Sequence, residues 1–557
     1  MKKKYNRTSR LLVTTPIVSI FLIASLLGQA VRDPFPVKRD ENPGTWLSNG
    51  WAALDAKKRD KIRTGPAKNV ILFIGDGMGV STLTAARILE GQMRGESGEE
   101  NRLSFENFPF SALSKTYSAN QQTSDSAPTM TAIVTGVKSN EGTIGMTQKV
   151  VHADYRTVKG NEAKTLLEYA EESGRSTGVI TTTRVTHATP GACYAHSADR
   201  DWESDYDMKR LGDANTKNGN TEMAKRDLDA YNAKFPDIAR QLIEFKYGDG
   251  LEVAFGAGRN KFIPNTTPDP LLPNVKGERT DGRDLTQEWV AKRSGSAVVY
   301  NKQQLAAIDP RNAKHVLGLF ATENMQYETD RLEKAPDEPS LTDMTTKAID
   351  ILQQNKKGFF LMVEAGRIDQ AHHEGNAYRA LRDTIALSDA VRAAEKKVNL
   401  DDTLIIVTAD HSHTLTISGY PARGNNILGL VREIGINGRL EPDYKRDKLG
   451  RPFTTLNYAN GRGYTGASND SGEGPKFWPS KPTTFQGIAH GRPDLTKIDT
   501  TDPNYDQESV FPLGDNTHGG EDVAIYAEGV DAHLFRGSME ENWTFFIMAD
   551  ALRLVRR

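Results

Sequence analysis

Cysteine is almost missing: Cys193 stands alone among 557 residues. No intrachain disulfide can form, and a four-thiolate zinc site is excluded, so any metal must be held by oxygen and imidazole. Charge of one sign is lacking as well. Lysine and arginine number 71 against 73 acidic residues, a net charge of −2, which gives no basis for general affinity to nucleic acid or acidic surfaces. A long apolar run occurs in one place only. "LLVTTPIVSIFLIASLL" follows Lys2, Lys3, Lys4, Arg7 and Arg10 and leads to small residues at Gly28 and Ala30, the pattern of a cleaved signal peptide. An uncleaved anchor is the alternative, because the run lies near the lower limit of ~17 residues for a span. Thr14, Thr15, Pro16 and Ser19 weaken that alternative. Either way the chain reads as exported, periplasmic or extracellular, and residues 1–30 are set aside from the fold.

What is present is a series of short β-branched runs, each followed by polar residues or glycine. They are "NVILFIGDGMG", "STGVITTTR", "GFFLMVEAG", "DTLIIVTADH" and "DVAIYAEG". Amphipathic helical stretches such as "VSTLTAARILEGQ", "AKTLLEYAEESG" and "TDMTTKAIDILQQN" lie between them, and "WTFFIMADALRL" reads as a terminal helix. Strands buried on both faces and alternating with helices predict an α/β fold, a mostly parallel central sheet flanked by helices on both faces. Ligands bind such sheets at the carboxyl ends of strands, where Asp76, Thr189, Glu364, Asp410 and His411 fall. Two segments break the pattern: residues 256–300 read as a surface excursion, and residues 415–517 as an inserted subdomain, since a structureless loop of that length is improbable.

Chemistry concentrates at the ends of the apolar runs. In "LMVEAGRIDQAHHEG", Glu364 ends a strand, and Asp369 and His373, four apart, share one face of a short helix. Asp410 and His411 end another run, and Asp76 sits in the glycine-rich turn "GDGMG". Singly, each is ordinary: a turn aspartate, or a hydrogen-bonded His–Asp pair. Jointly they indicate a cation site, because buried carboxylates and imidazoles are costly unless paired or bound to metal. Nitrogen and oxygen donors without thiolate suit zinc, an all-oxygen subset suits magnesium, and a shared aspartate bridging two cations suits two-metal phosphoryl chemistry. His372 and His413 have no part in this pattern and are expected to be solvated. "QTSDSAPTMTAIVTG" offers a nucleophile, Ser126, beside Asp125 and at the start of a helix, a seat for phosphate.

Together these motifs resemble the alkaline phosphatase family, and its animal-type members above all, through "FIGDGMGVSTLTAARIL", "TTTRVTHATPGACYAHSADRDW", "GRIDQAHHEGNA", "VTADHSHT" and "NTHGGEDVAIYA". The resemblance implies hydrolysis of phosphate monoesters, with broad specificity, through a phosphoserine at Ser126. It implies two zinc ions and one magnesium ion per subunit. Asp369, His373 and His518 would hold the first zinc, and Asp76, Asp410, His411 and Ser126 the second. Asp76, Thr189 and Glu364 would hold magnesium, with His187 beside it. Arg200 would grip the phosphate, oriented by Asp125, a bidentate task that suits a planar guanidinium. It also implies a catalytic domain over residues 66–550, a crown-like insertion at 415–517, and a homodimer in which the insertion and a helical arm at residues 42–62 contact the partner.

Departures from the family carry expectations of their own. Leu271 and Ala321 replace two of three carboxylates of the animal-type calcium site, Glu338 keeping the third, so that site is expected to be absent or weakened. Gln370 stands where relatives carry His or Lys near the phosphate. Two rivals are weighed: a phosphodiesterase or sulfatase of the same superfamily, and an inactive phosphate-binding protein on the same scaffold. A sulfatase would need an arginine that "SDSAPTM" lacks, and an inactive relative is expected to have lost a ligand or the nucleophile.

Overall fold

The structure, a computed structural model, describes residues 41–555; residues 1–30, expected to be a signal peptide or anchor, lie outside them. Eight of its strands, in chain order, are β1 (Asn69–Gly75), β2 (Phe110–Lys115), β3 (Ser176–Arg184), β4 (Val253–Ala257), β5 (Ser296–Val299), β6 (His315–Leu319), β7 (Phe359–Ala365) and β8 (Thr403–Thr408). With Val523–Gly529 and Ser538–Glu540 they form a sheet of ten. Its order is Ser538–Glu540, β2, Val523–Gly529, β8, β1, β7, β3, β4, β6, β5. The run from β8 to β5 is parallel, whereas Val523–Gly529 is antiparallel to both of its neighbours.

Side-chain alternation divides the sheet's two faces. In β1, Ile71 and Phe73 join one apolar layer with Leu381 and Leu387 of the helix Ala377–Glu395. Val70, Leu72 and Ile74 join the opposite layer with Met130 and Ile133 of the helix Ser126–Thr135. Both sides are thus covered, and every residue of β1, β7 and β8 is buried. Each large apolar side chain so placed contributes roughly 1.5–3 kcal/mol.

The register then sets the site. Ile74 lies opposite Glu364 on one side and Thr408 on the other, and Thr181 of β3 also faces Glu364. The four central strands therefore end together, and the residues that follow them converge.

Within the segment 256–300 the expected excursion is only partly an excursion. Leu285–Lys292 is a helix that buries Trp289, and the chain continues as β5, an edge strand of the main sheet. The segment 415–517 holds a small three-stranded sheet, Leu415–Ile417, Leu456–Gly461 and Ser509–Pro512. It closes where His518–Gly519 pairs antiparallel with Ser412–His413, a separate two-stranded sheet just beyond β8.

Candidate metal centre and nucleophile

Asp76 follows β1 directly, in a turn where Gly77 adopts φ +67°. A Cβ there would stand 2.5 Å from the ring of His413, so a glycine is required on both counts. Asp410 follows β8, and its Oδ1 accepts the backbone N–H groups of Gly77 (3.2 Å) and His411 (3.0 Å). Ser126 opens its helix and Asp125 caps it, the Asp125 side chain accepting from the Ala127 N–H at 2.9 Å. Ser126 is thus free of capping. Its Oγ lies 3.1 Å from His411 Nε2 and 3.4 Å from Asp76 Oδ1. Asp76, Asp410 and His411 form one compact set of donors, all fully buried.

A second set is built on the short helix Arg367–His373. Asp369 Oδ1 faces His373 Nε2 at 3.3 Å and His518 Nε2 at 3.5 Å. The Nε2 atoms of His373 and His518 stand 3.1 Å apart. Each ring is turned by its other nitrogen: His373 Nδ1 bonds to the Asn516 carbonyl and His518 Nδ1 to the Ser124 carbonyl, both at 2.7 Å. Donation of Nδ1–H to a backbone carbonyl leaves both Nε2 lone pairs aimed at one point, the arrangement metal-ligating histidines show.

The third set joins Asp76, Glu364 and His187. Glu364 Oε2 accepts from Thr181, and burial pushes its carboxyl up to about 7. Thr189 lies in the first turn of the helix Ala188–Tyr194, beyond β3 rather than at its tip. Burial holds His187 near 3, hence neutral, so its Nε2 takes a hydrogen bond from Arg200 Nη2 at 3.1 Å. Arg200 also faces Asp125 at 3.7 Å.

These sets fit cations. Asp76 Oδ2, Asp410 Oδ2, Glu364 Oε1 and Thr189 Oγ1 are buried without a hydrogen-bond partner, a costly state that a cation would relieve. Asp76 is driven well above the usual carboxylate range by burial and then by Asp410, an effect that a cation at this set would oppose.

His372 and His413 are not solvated; they are 0% and 2% exposed. His413 Nε2 lies 2.6 Å from Asp369 Oδ1 while its Nδ1 meets Asn516 Oδ1 at 2.9 Å. His372 stacks on His413 and is satisfied by Thr82 (3.0 Å) and Tyr458 (2.6 Å). His413 could have been found from its spacing: in an extended strand, His411 and His413 lie on the same face.

The alkaline phosphatase family model matches residues 67–554. This chain belongs to the alkaline phosphatase family. It is 40% identical over 542 residues to the tissue-nonspecific alkaline phosphatase of Mus musculus, covering 96% of this chain and 93% of that protein. It is likewise 40% identical to an alkaline phosphatase of Gadus morhua, covering 93% and 98%. Among solved structures, the alkaline phosphatase of Thermus thermophilus superposes with a TM-score of 0.57 at 23% identity over 90% of this chain and 94% of that one. The enzyme from the Antarctic bacterium TAB5 gives 0.54 at 19% over 88% and 100%. These two carry the fold. Membership implies metal cofactors, and the three donor sets described above fit them.

Proposed function

We propose that this chain hydrolyses phosphate monoesters of broad range in two in-line transfers, first to Ser126 and then to water. The observation that carries this reading is the convergence of Ser126 Oγ with Asp76 and His411 (3.4 and 3.1 Å) on orphaned carboxylate oxygens. A dianionic ester repels any nucleophile, so neutralisation and positioning dominate the chemistry. Two zinc ions would sit on Asp369, His373 and His518 and on Asp76, Asp410, His411 and Ser126. Magnesium would sit on Asp76, Thr189 and Glu364, with His187 beside it. When bound, such cations lower the pKa of a hydroxyl or water and neutralise a leaving oxygen. The chain supplies the rest. Asp410 is fixed by two backbone N–H groups, His413 pins Asp369, and Arg200 presents its fork to the phosphate oxygens under the hold of Asp125 and His187.

Other features support finer parts of this reading. The helix Pro43–Lys57 buries none of its residues and exposes Trp46, Leu47, Trp51 and Leu54, which supports a homodimer contact through this arm. At the animal-type calcium positions Leu271 is exposed, Ala321 carries no donor and Glu338 already accepts from the Gln326 N–H at 2.8 Å, which supports a missing site. Gln370 accepts from Arg367, leaving product phosphate without a cation at that position. No described helix is long and apolar enough to cross a membrane, and export rests on the N-terminal signal.

The test compares the protein with Ser126→Ala on a chromogenic monoester near pH 7 and near pH 10, with zinc and magnesium supplied. The parent should be faster at the higher pH, and the variant slower by about 10³-fold or more. A variant within tenfold of the parent would remove Ser126 from the mechanism; cleavage of diesters or sulfate esters alone would move the chain to the rival reading.

A further inference from the structure

Away from the metal sets, His152 sits between two carboxylates, with Nδ1 3.2 Å from Glu141 and Nε2 3.3 Å from Asp199. Glu141 is the immediate neighbour of a residue that holds Arg200, and Asp199 is the neighbour of Arg200 itself. Gly142 follows Glu141, and its carbonyl accepts the Arg200 N–H at 2.7 Å. Asp199 precedes Arg200, and its Oδ1 accepts the Asp201 N–H at 2.8 Å, so this side chain braces the backbone on both sides of Arg200. The ring lies directly over Gly142, where a Cβ would come within 2.4 Å of Nε2 and where φ is +72°. The next residue, Ala153, is held at φ +59° and donates to the Ala198 carbonyl at 2.8 Å. A left-handed alanine is an unfavoured conformation, kept where the surroundings over-determine it.

We infer that His152 is a positioning residue for phosphate capture, a clasp that ties the Glu141–Gly142 turn to the Asp199–Arg200 turn and so fixes the guanidinium of Arg200. The inference rests on the assignment of Arg200 as the phosphate-gripping residue. Doubly protonated, the ring donates to both carboxylates; once neutral it has one N–H, and a lone pair faces the other carboxylate. Burial opposes the charge, but the hydrogen bonds with Asp199 and Glu141 outweigh it and set the imidazolium pKa at about 10. The other charges facing this ring are few. Arg226 of the helix Thr221–Asn232 donates to the His152 carbonyl at 3.0 Å, Asp227 stands behind Asp199, and Asp201 lies beyond Arg200. The clasp is therefore closed through mildly alkaline pH and opens above about pH 10.

Inorganic phosphate is the probe, as a competitive inhibitor of the metal-loaded enzyme, with KM and kcat for a chromogenic monoester, from about pH 8 to about pH 11. For the parent, the inhibition constant and KM rise above about pH 10. His152→Ala raises both about tenfold between about pH 8 and pH 9, with a smaller change in kcat, and its difference from the parent narrows above about pH 10. His152→Arg, whose cation does not titrate in this range, restores tight binding and keeps it to the top of the range. A His152→Ala enzyme within about twofold of the parent between about pH 8 and pH 9 overturns the clasp, as does a His152→Arg enzyme that retains the parent's alkaline rise. Should the alanine variant fail to fold, the arginine variant decides alone. Arg200→Ala separates the two readings: if phosphate binding survives that change, the Arg200 assignment fails, whereas loss there with intact His152 variants rejects only the clasp.

Discussion

Asp369 shows how much of a metal site is made by residues that touch no metal. Its neighbours His373, His413 and His518 hold the carboxyl well below its usual range against the opposing effect of burial, and His413 does so while tethered to Asn516. His413→Ala would free Asp369 to rotate and leave the Asn516 amide oxygen with one partner fewer. The expected outcome is a 10–100-fold loss of affinity at the first zinc set, read as faster zinc release to a chelator. Gly77→Ala acts from the other side of the same ring, adding a Cβ 2.5 Å from His413 and a left-handed alanine. A cost of about 1–3 kcal/mol is expected from the backbone conformation, seen as a lower midpoint in denaturant. Asp76, Glu364, Asp369, His373, Asp410 and His411 were legible in the sequence as acids and imidazoles clustered at strand ends, whereas His187 and His518 entered only as what the family resemblance implies. The roles of His413 and His372 were not legible, since their partners Asn516 and Tyr458 lie within the long segment 415–517 and meet them only when it folds back. His152 gave no signal, because it and Glu141 lie outside the motifs and Asp199, although inside one, was overshadowed by its neighbour Arg200.

Among elements, legibility followed burial. The central strands β1, β3, β7 and β8 announced themselves as apolar runs because both of their faces are covered. β2 reads "FSALSK", with alternate residues exposed, and β5 is "SAVV", mostly half-buried; at the margins of a sheet one face meets solvent and the run dissolves into alternation. That is also why part of the segment 256–300 read as an excursion. The helix Pro43–Lys57 is the opposite case, an ordered element with nothing buried. Its capping box, formed by Asn42 and Thr45, sets the helix start, but capping alone does not hold an isolated helix of this length. The double change Trp46→Glu and Trp51→Glu tests the proposed homodimer: the expected outcome in light scattering is a dimer's mass for the parent and a monomer's for the variant. An unchanged mass would detach this arm from the interface.

At the scale of the whole molecule, the two ends of the sheet carry opposite electrostatic problems. One end gathers carboxylates for cations. At the other, Glu171 and Glu252 are buried together where β3 and β4 begin, both bonded to Thr177. Burial and then Glu171 raise the Glu252 carboxyl to about 9, and burial raises Glu171 to about 7. Both folded values lie above the unfolded ones, so stability is full near pH 4 and falls as pH rises towards about 9. Glu252→Gln should therefore gain on the order of 1 kcal/mol or more over the parent near pH 9 and little near pH 5, read as a melting temperature at each pH. A parent whose melting point is flat over that interval would count against the buried pair.

The first of the proposed zinc sets draws on Asp369 and His373 and then, across the whole insertion, on His518. During synthesis the ribosome makes Asp76 long before His518. A nascent or prematurely ended product can thus present most of the donors and still lack the one that closes the set. On the proposed assignment, a fragment ending between residues 411 and 518 would keep the donors of the second set and lack the one that closes the first, so it would hold less zinc than the whole chain.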